Sequence, residues 1–151
     1  MQKSLKIAVV GSGLVGSLLA IYLRKHNHTV HVFDRSPDIR QLSLSGRSIN
    51  LAMSHRGWKA LDHAGIGDDI RSIAIPMDKR AIHTDEEVKF QYYGKDGEAI
   101  YSISRGVLNR RMIDLAEEAG AESTVETSIG AVTPAPPTLH VGEKDEGACT
   151  P

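Results

Sequence analysis

Residues 6–16 read KIAVVGSGLVG, an apolar run that leads directly into a glycine-rich loop. The apolar, β-branched run Lys6–Val10 predicts a buried parallel strand. A helix is predicted from Ser17 to His26, and a second strand from Thr29 to Phe33. This order of strand, loop, helix and strand is the front half of a βαβ unit, and a right-handed crossover would make the two strands parallel neighbours.

The glycine loop has the G-x-G-x-x-G spacing of dinucleotide-binding sites, and Asp34 follows its last glycine by 18 residues. Gly11 is expected to permit the tight turn, Gly13 to let the backbone approach a pyrophosphate, and Gly16 to let the helix pack against the strand. The helix N-terminus offers N–H groups to the phosphates, and Asp34 can accept hydrogen bonds from a ribose. The loop alone does not distinguish NAD from FAD, and Arg35 could suit the 2′-phosphate of NADP.

The overall composition argues against several classes of partner. The formal net charge of -1 over 151 residues gives no bulk attraction to nucleic acid or to an acidic membrane. The one cysteine, Cys149, excludes an internal disulfide, and the histidines show no metal-ligand spacing, so no metal site is predicted. No apolar run approaches the roughly 20 residues of a membrane span, and no signal peptide is recognisable. We therefore expect a cytoplasmic protein without a membrane segment in this chain.

The chain beyond the first unit predicts further alternating elements. Ser54 is a good N-cap for a helix, and Gly65 is a suitable stop. Turn-forming residues at 95–98 separate two of the predicted strands. The predicted elements are helices at 55–64, 68–73 and 106–119, and strands at 80–83, 88–93 and 99–103.

The composition changes near residue 120. Residues 120–151 contain five acidic residues and one basic residue, and all seven Phe, Trp and Tyr residues of the chain lie before them. Such a segment has little apolar surface to offset the entropy of ordering. We therefore predict two parts, a folded portion at 1–119 and an atypical, disordered or frameshifted tail at 120–151.

Several separate motifs resemble one enzyme family. Residues 46–57 read GRSINLAMSHRG and are very similar to the GRSINLALSHRG stretch of kynurenine 3-monooxygenases. Residues 75–83 resemble that family's IPM-x-x-R-x-IH element. Residues 93–94 and 100–105 resemble its YG and SxSR elements, in the same order and at similar spacing. The resemblance covers roughly residues 5–119.

This resemblance implies a flavin-dependent aromatic hydroxylase of tryptophan catabolism. In that family NADPH reduces bound FAD, and O2 then serves to hydroxylate L-kynurenine to 3-hydroxykynurenine. The implied fold class is α/β, a truncated Rossmann-like FAD-binding domain of the GR2/aromatic-hydroxylase type, with a few extra strands from the start of the substrate domain.

The resemblance also implies site residues, while the catalytic groups stay unassigned. Asp34 departs from the family's usual Glu at the ribose. For the substrate's carboxylate, a guanidinium suits two parallel hydrogen bonds, and Tyr93 falls on the polar face of its strand, where a ligand contact is plausible. The matching positions for FAD are Gly11, Gly13, Val15, Gly16, Asp34, Arg40, Ala52 and Arg105, and those for the substrate are Arg80 and Tyr93.

Three functions stay open from the sequence. The first is a kynurenine 3-monooxygenase portion, expected to be inactive by itself because the flavin would be only half-enclosed and open to water. The family's proteins are about three times this length, and the resemblance is expected to end at Ala119. The second is another FAD aromatic hydroxylase or an NAD(P)-dependent dehydrogenase. The third is a non-catalytic nucleotide-binding fragment. A longer parent protein could also carry a C-terminal membrane anchor, as some members of the family do.

Overall fold

The computed structural model describes residues 3–42, 49–94 and 99–142. The chain forms two compact units, one of residues 1–43 with 109–151 and the other of residues 44–108. Its elements, in chain order, are β1 (Lys6–Val10), α1 (Leu14–Lys25), β2 (Thr29–Phe33), β3 (Asn50–Met53), α2 (His55–His63), α3 (Gly67–Arg71), β4 (Ile75–Met77), β5 (Lys79–His83), β6 (Val88–Tyr92), β7 (Ile100–Ser104), α4 (Arg105–Glu118), β8 (Glu122–Thr124), β9 (Ile129–Pro134) and β10 (Pro137–Val141).

The first unit contains the predicted βαβ arrangement. The strands β1 and β2 pair in parallel, from Lys6 opposite Thr29 to Val10 opposite Phe33, which confirms both predicted strands. Val30 and Val32 are almost fully buried, as are Ala20 and Ile21 of α1. A short third strand, β8, pairs in parallel with β2, so the sheet order is β1-β2-β8.

The first helix begins earlier than the sequence predicted. α1 starts at Leu14 rather than at Ser17, with Gly13 as its N-cap residue. The Ser17 N–H already donates to the Gly13 carbonyl at 2.9 Å. The glycines lower local helix propensity, yet the loop runs into the helix without an intervening turn.

Residues 121–142 form strands where the composition predicted a disordered tail. β8 lies in the central sheet, and β9 and β10 form an antiparallel hairpin whose pairing begins at Pro134 opposite Pro137. Ala121 is buried just before β8. Backbone pairing with β2 orders a strand that has no large apolar side chain, and composition does not register that contribution. Residues 143–151 lie outside the described residues.

The described residues of the second unit include two small antiparallel sheets, the helices α2 and α3, and the start of α4. One sheet has the order β3-β7-β4, and the other is the β5-β6 hairpin. Trp58 is buried and meets the Tyr101 ring edge-on at a centroid distance of 5.0 Å. The Arg71 guanidinium lies 4.9 Å from the centre of the Trp58 ring. The strands β3 and β4 were missed because each has at most four residues and no turn signal brackets it.

Candidate nucleotide-binding site

The glycine loop lies at the carboxyl end of β1, where ligands bind in open parallel sheets. Gly11 has a φ of +102°, a conformation that side-chain-bearing residues rarely adopt. Its N–H donates to the Phe33 carbonyl at 2.7 Å, which ties the start of the loop to the end of β2. The tight turn predicted for Gly11 is therefore present.

The other two loop glycines differ in what surrounds them. A Cβ on Gly16 would lie 1.8 Å from the Gly11 carbonyl oxygen, so α1 approaches the loop as closely as only glycine allows. A Cβ on Gly13 would meet nothing within 4 Å. Gly13 also caps α1 without a side chain, which leaves the first N–H groups of the helix available to an anion.

Asp34 faces the loop from the end of β2. Its Oδ2 accepts hydrogen bonds from the Ser12 N–H at 2.6 Å and the Ser12 hydroxyl at 2.8 Å, and its Oδ1 accepts one from the Ser36 N–H at 2.8 Å. Partial burial acts to raise the pKa of Asp34, but the hydrogen bonds from the backbone and hydroxyls of these two serines outweigh it. The net effect is a pKa below the ordinary value, so the group is a carboxylate at neutral pH.

Ser12, Gly13, Asp34 and Ser36 line one cavity of about 210 Å³. Its volume is below the range of roughly 300–1,000 Å³ typical of whole small-molecule sites, which suits part of a dinucleotide better than all of it. The Asn109 Oδ1 atom is buried and has no hydrogen-bond partner among the described residues, so it is an acceptor that a ligand could satisfy. The lining residues are Ser12, Gly13, Asp34, Ser36, Pro37, Asp38, Ile39, Arg40, Asn109, Ile113, Ser123 and Val125.

Arg40 lines this cavity, but carboxylates surround its guanidinium. It bonds Asp38 from its own loop, and Asp114 and Glu117 from α4, at distances of 2.6–3.2 Å. Hydrogen bonding to Asp38 and then to Glu117 raises the pKa of Arg40 well above its ordinary value. The sequence motifs gave no sign of these partners, although the spacing of Asp114 and Glu117 places them on one helix face.

The remaining residues implied for FAD lie elsewhere. Val15, in the first turn of α1, is 81% exposed. Ala52 and Arg105 belong to the second unit. Ala52 pairs with Ser102 across β3 and β7. Arg105 opens α4 and donates its N–H to the Ile49 carbonyl at 3.3 Å.

The two residues implied for the substrate are both in the second unit. Arg80 lies opposite Gln91 in the β5-β6 hairpin, and its Nε donates to the Gln91 Oε1 at 2.9 Å. Tyr93 directly follows β6, and its N–H donates to the Asp78 carbonyl at 3.0 Å. The Tyr93 side chain lines a cavity of about 780 Å³ together with Trp58 and Tyr101. Arg80 is exposed on the hairpin, so its guanidinium is accessible to a carboxylate.

Two further observations concern metal ligands and membrane-spanning helices. Among the described residues, no cluster of three or more His, Cys, Asp or Glu side chains could hold a metal ion. In the same part of the chain, no helix is long and apolar enough to cross a membrane.

The chain is similar in sequence to relatives that share the name kynurenine 3-monooxygenase. Residues 9–56 match the model of an NAD(P)-binding Rossmann-like domain. The chain is 70% identical over 147 residues to a kynurenine 3-monooxygenase of Flavobacterium johnsoniae, covering 97% of this chain and 33% of the relative. It is 67% identical over 150 residues to the enzyme of the same name from Flavobacterium psychrophilum, covering 99% and 34%. The chain thus spans about a third of the length of these relatives.

These matches also correct an expectation about the end of the chain. An alignment that includes 147 of 151 residues must continue well beyond Ala119. The expectation that the resemblance ends at Ala119 is therefore wrong. The frameshift, which was inferred from the composition after residue 120, also loses its support, because most of that segment lies within the matched sequence.

Structural comparison confirms the predicted α/β, Rossmann-like fold class. A 2-methyl-3-hydroxypyridine-5-carboxylic acid oxygenase superposes with a TM-score of 0.73 at 20% identity, over 94% of this chain and 38% of that one. The p-nitrophenol 4-monooxygenase of Pseudomonas putida superposes with a TM-score of 0.68 at 21% identity, over 88% and 34%. At such identities the comparison concerns the fold alone.

Proposed function

Because this chain matches the N-terminal third of kynurenine 3-monooxygenases over nearly its whole length, we propose that it forms the FAD-binding portion of an enzyme that uses NADPH and O2 to hydroxylate L-kynurenine to 3-hydroxykynurenine. One observation carries the nucleotide part of this proposal. The open space at Gly13, the uncapped start of α1 and the Asp34 carboxylate all border a single cavity.

The residues of this cavity suit the adenosine and pyrophosphate half of FAD. The pyrophosphate would lie over Gly13, where its charge meets the N–H groups and partial positive charge of the α1 N-terminus. Asp34 would accept hydrogen bonds from the ribose. Two of its present donors are serine hydroxyls, which can rotate away when ribose hydroxyls take their place.

The residues of the second unit are proposed to serve the flavin and the substrate. Ala52 and Arg105 are assigned to FAD, and Arg80 and Tyr93 to the amino-acid carboxylate of kynurenine. A guanidinium and a phenol hydroxyl are both donors, which is what a carboxylate needs. Bound FAD would supply the redox and oxygen-activating chemistry, and this chain's own residues would bind and orient the FAD and the kynurenine.

An NAD(P)-dependent dehydrogenase is the second candidate, and the match to an NAD(P)-binding domain model favours it. Two charged residues beside the proposed ribose position would have opposite effects on the binding of NADP. The Asp34 carboxylate would repel the 2′-phosphate of NADP, whereas the exposed Arg35 would attract it.

Calorimetric titration of the purified 151-residue chain with FAD, NAD⁺ and NADP⁺ distinguishes these candidates. The proposal expects heat of binding with FAD, and with ADP as its minimal part, at lower ligand concentration than with either nicotinamide nucleotide. Tighter binding of NADP⁺ or NAD⁺ than of FAD would favour the dehydrogenase. Binding of none of these ligands would refute a nucleotide role for the chain.

A further inference from the structure

The loop after β2 and the helix α4 bond each other in both directions. From the loop, Arg40 reaches α4, where Nη1 bonds the Asp114 Oδ1 at 3.1 Å and the Glu117 Oε2 at 2.6 Å. From the helix, Arg110 reaches back to the loop, where its Nε donates to the Ile39 carbonyl at 3.2 Å and its Nη2 to the Leu42 carbonyl. These two arginines with Asp114 and Glu117 are called the arginine clamp below.

Carboxylates accept hydrogen bonds from every N–H group of the Arg40 guanidinium, so no donor is left for a nucleotide. A guanidinium carries five N–H groups. The Nε group bonds Asp38, the two Nη1 groups bond Asp114 and Glu117, and the two Nη2 groups bond Asp38 and Glu117. Three carboxylates next to one guanidinium also leave this corner net negative, which disfavours a bound phosphate.

The clamp joins two walls of the nucleotide cavity. Residues 36–40 of the loop form one wall, and Asn109 and Ile113 of α4 contribute to the other. The clamp residues on the helix occur in the same turns as Asn109 and Ile113. The distance between the walls therefore depends on the bonds that hold the loop to α4.

We propose that the arginine clamp presets the width of the nucleotide cavity, and that Arg40 is a positioning residue that does not itself bond the nucleotide. The inference rests on the proposed function, because it takes the cavity to hold the adenosine side of FAD. It changes the role that the family resemblance gave Arg40, from a ligand of FAD to a residue that acts through Asp114 and Glu117.

A double-mutant cycle separates the two roles. The variants are Arg40→Gln, the pair Asp114→Asn with Glu117→Gln, and all three changes together, each titrated with FAD. If Arg40 acts through the carboxylates, each change alone weakens FAD binding by about tenfold, and combining them weakens it no further. Arg40→Lys keeps the charge with three donors and recovers part of the affinity. Glu118→Gln is the matched control, because Glu118 lies on the same helix and pairs with Arg111 outside the clamp.

Amide hydrogen exchange of the unliganded chain gives a second measurement. Arg40→Gln and the carboxylate pair should both accelerate exchange in residues 36–42, while Glu118→Gln should not, with circular dichroism confirming that every variant is folded.

If Arg40 is a direct ligand, Arg40→Gln weakens FAD binding while the carboxylate pair leaves it unchanged or tighter, and the inference is wrong. If all variants bind FAD like the parent, the inference also fails while the proposed function stands. If the parent itself binds no FAD, the proposed function fails and the inference falls with it.

Discussion

Replacement of Gly13 by alanine should impair nucleotide binding without disturbing the fold. The backbone at Gly13 is extended, with φ −67° and ψ −178°, which alanine adopts without strain. The added Cβ meets no protein atom within 4 Å. Alanine is a poorer N-cap than glycine but restricts the unfolded chain more, so the two effects should cancel to within about 1 kcal/mol.

The same Cβ would occupy the space proposed for the pyrophosphate. Overpacking a close contact costs about 1–3 kcal/mol, which corresponds to a loss in FAD affinity of roughly 5- to 150-fold. The control is Gly16→Ala, where the Cβ would lie 1.8 Å from a backbone oxygen and the helix must retreat by more than about 1 Å. That change should cost ~2 kcal/mol of folding free energy, or roughly 4–8 °C in Tm for a chain of this size.

The assay combines thermal unfolding, followed by circular dichroism, with titration of FAD into each folded variant. Gly13→Ala should unfold near the parent's Tm and bind FAD weakly. Gly16→Ala should unfold at a clearly lower temperature. The reasoning is refuted if Gly13→Ala binds FAD as tightly as the parent, because nothing would then lie over the loop at that glycine.

Two further predictions follow from particular side chains. The pKa of Asp34 is lower in the folded chain than its unfolded value of about 3.9, so its contribution to stability is full above that pH and is lost as the pH falls through the folded pKa. Acid unfolding curves of Asp34→Asn should lack this contribution. An identical pH dependence of stability in parent and variant would contradict the prediction. Trp58→Ala should lower the free energy of unfolding by about 3–5 kcal/mol because the indole is buried against Tyr101. Trp58→Phe keeps a ring and removes an N–H that has no partner among the described residues. Chemical denaturation should therefore place the stability of Trp58→Phe clearly between those of the parent and the alanine variant.

The sequence predicted the first βαβ unit well because its signals are local. The apolar runs, the glycine spacing and the acid at the end of β2 all lie within 35 residues, and each has a direct physical cause. The short strand β8 was missed because three residues, Glu-Ser-Thr, carry no periodic signal and are ordered by pairing with β2. Composition misjudged residues 121–142 because it does not register backbone pairing, either of β8 with β2 or of β9 with β10.

The candidate site was predictable in its glycines and Asp34 but not in its supporting contacts. Arg40 meets Asp114 and Glu117 across more than 70 residues of sequence. No spacing rule connects residues so far apart before the fold is known. Ser12 occupies a variable position of the glycine motif, so its two hydrogen bonds to Asp34 could not be read from the pattern either.

If this chain holds the adenosine side of FAD in the cavity beside Gly13 and Asp34, FAD should remain bound to the purified protein. The most direct test is the visible absorption spectrum of the purified 151-residue chain after incubation with FAD and removal of free ligand by desalting. Flavin absorbance should stay with the protein, and Gly13→Ala should retain less flavin than Glu118→Gln. A colourless parent chain that circular dichroism shows to be folded would mean that this cavity does not hold FAD.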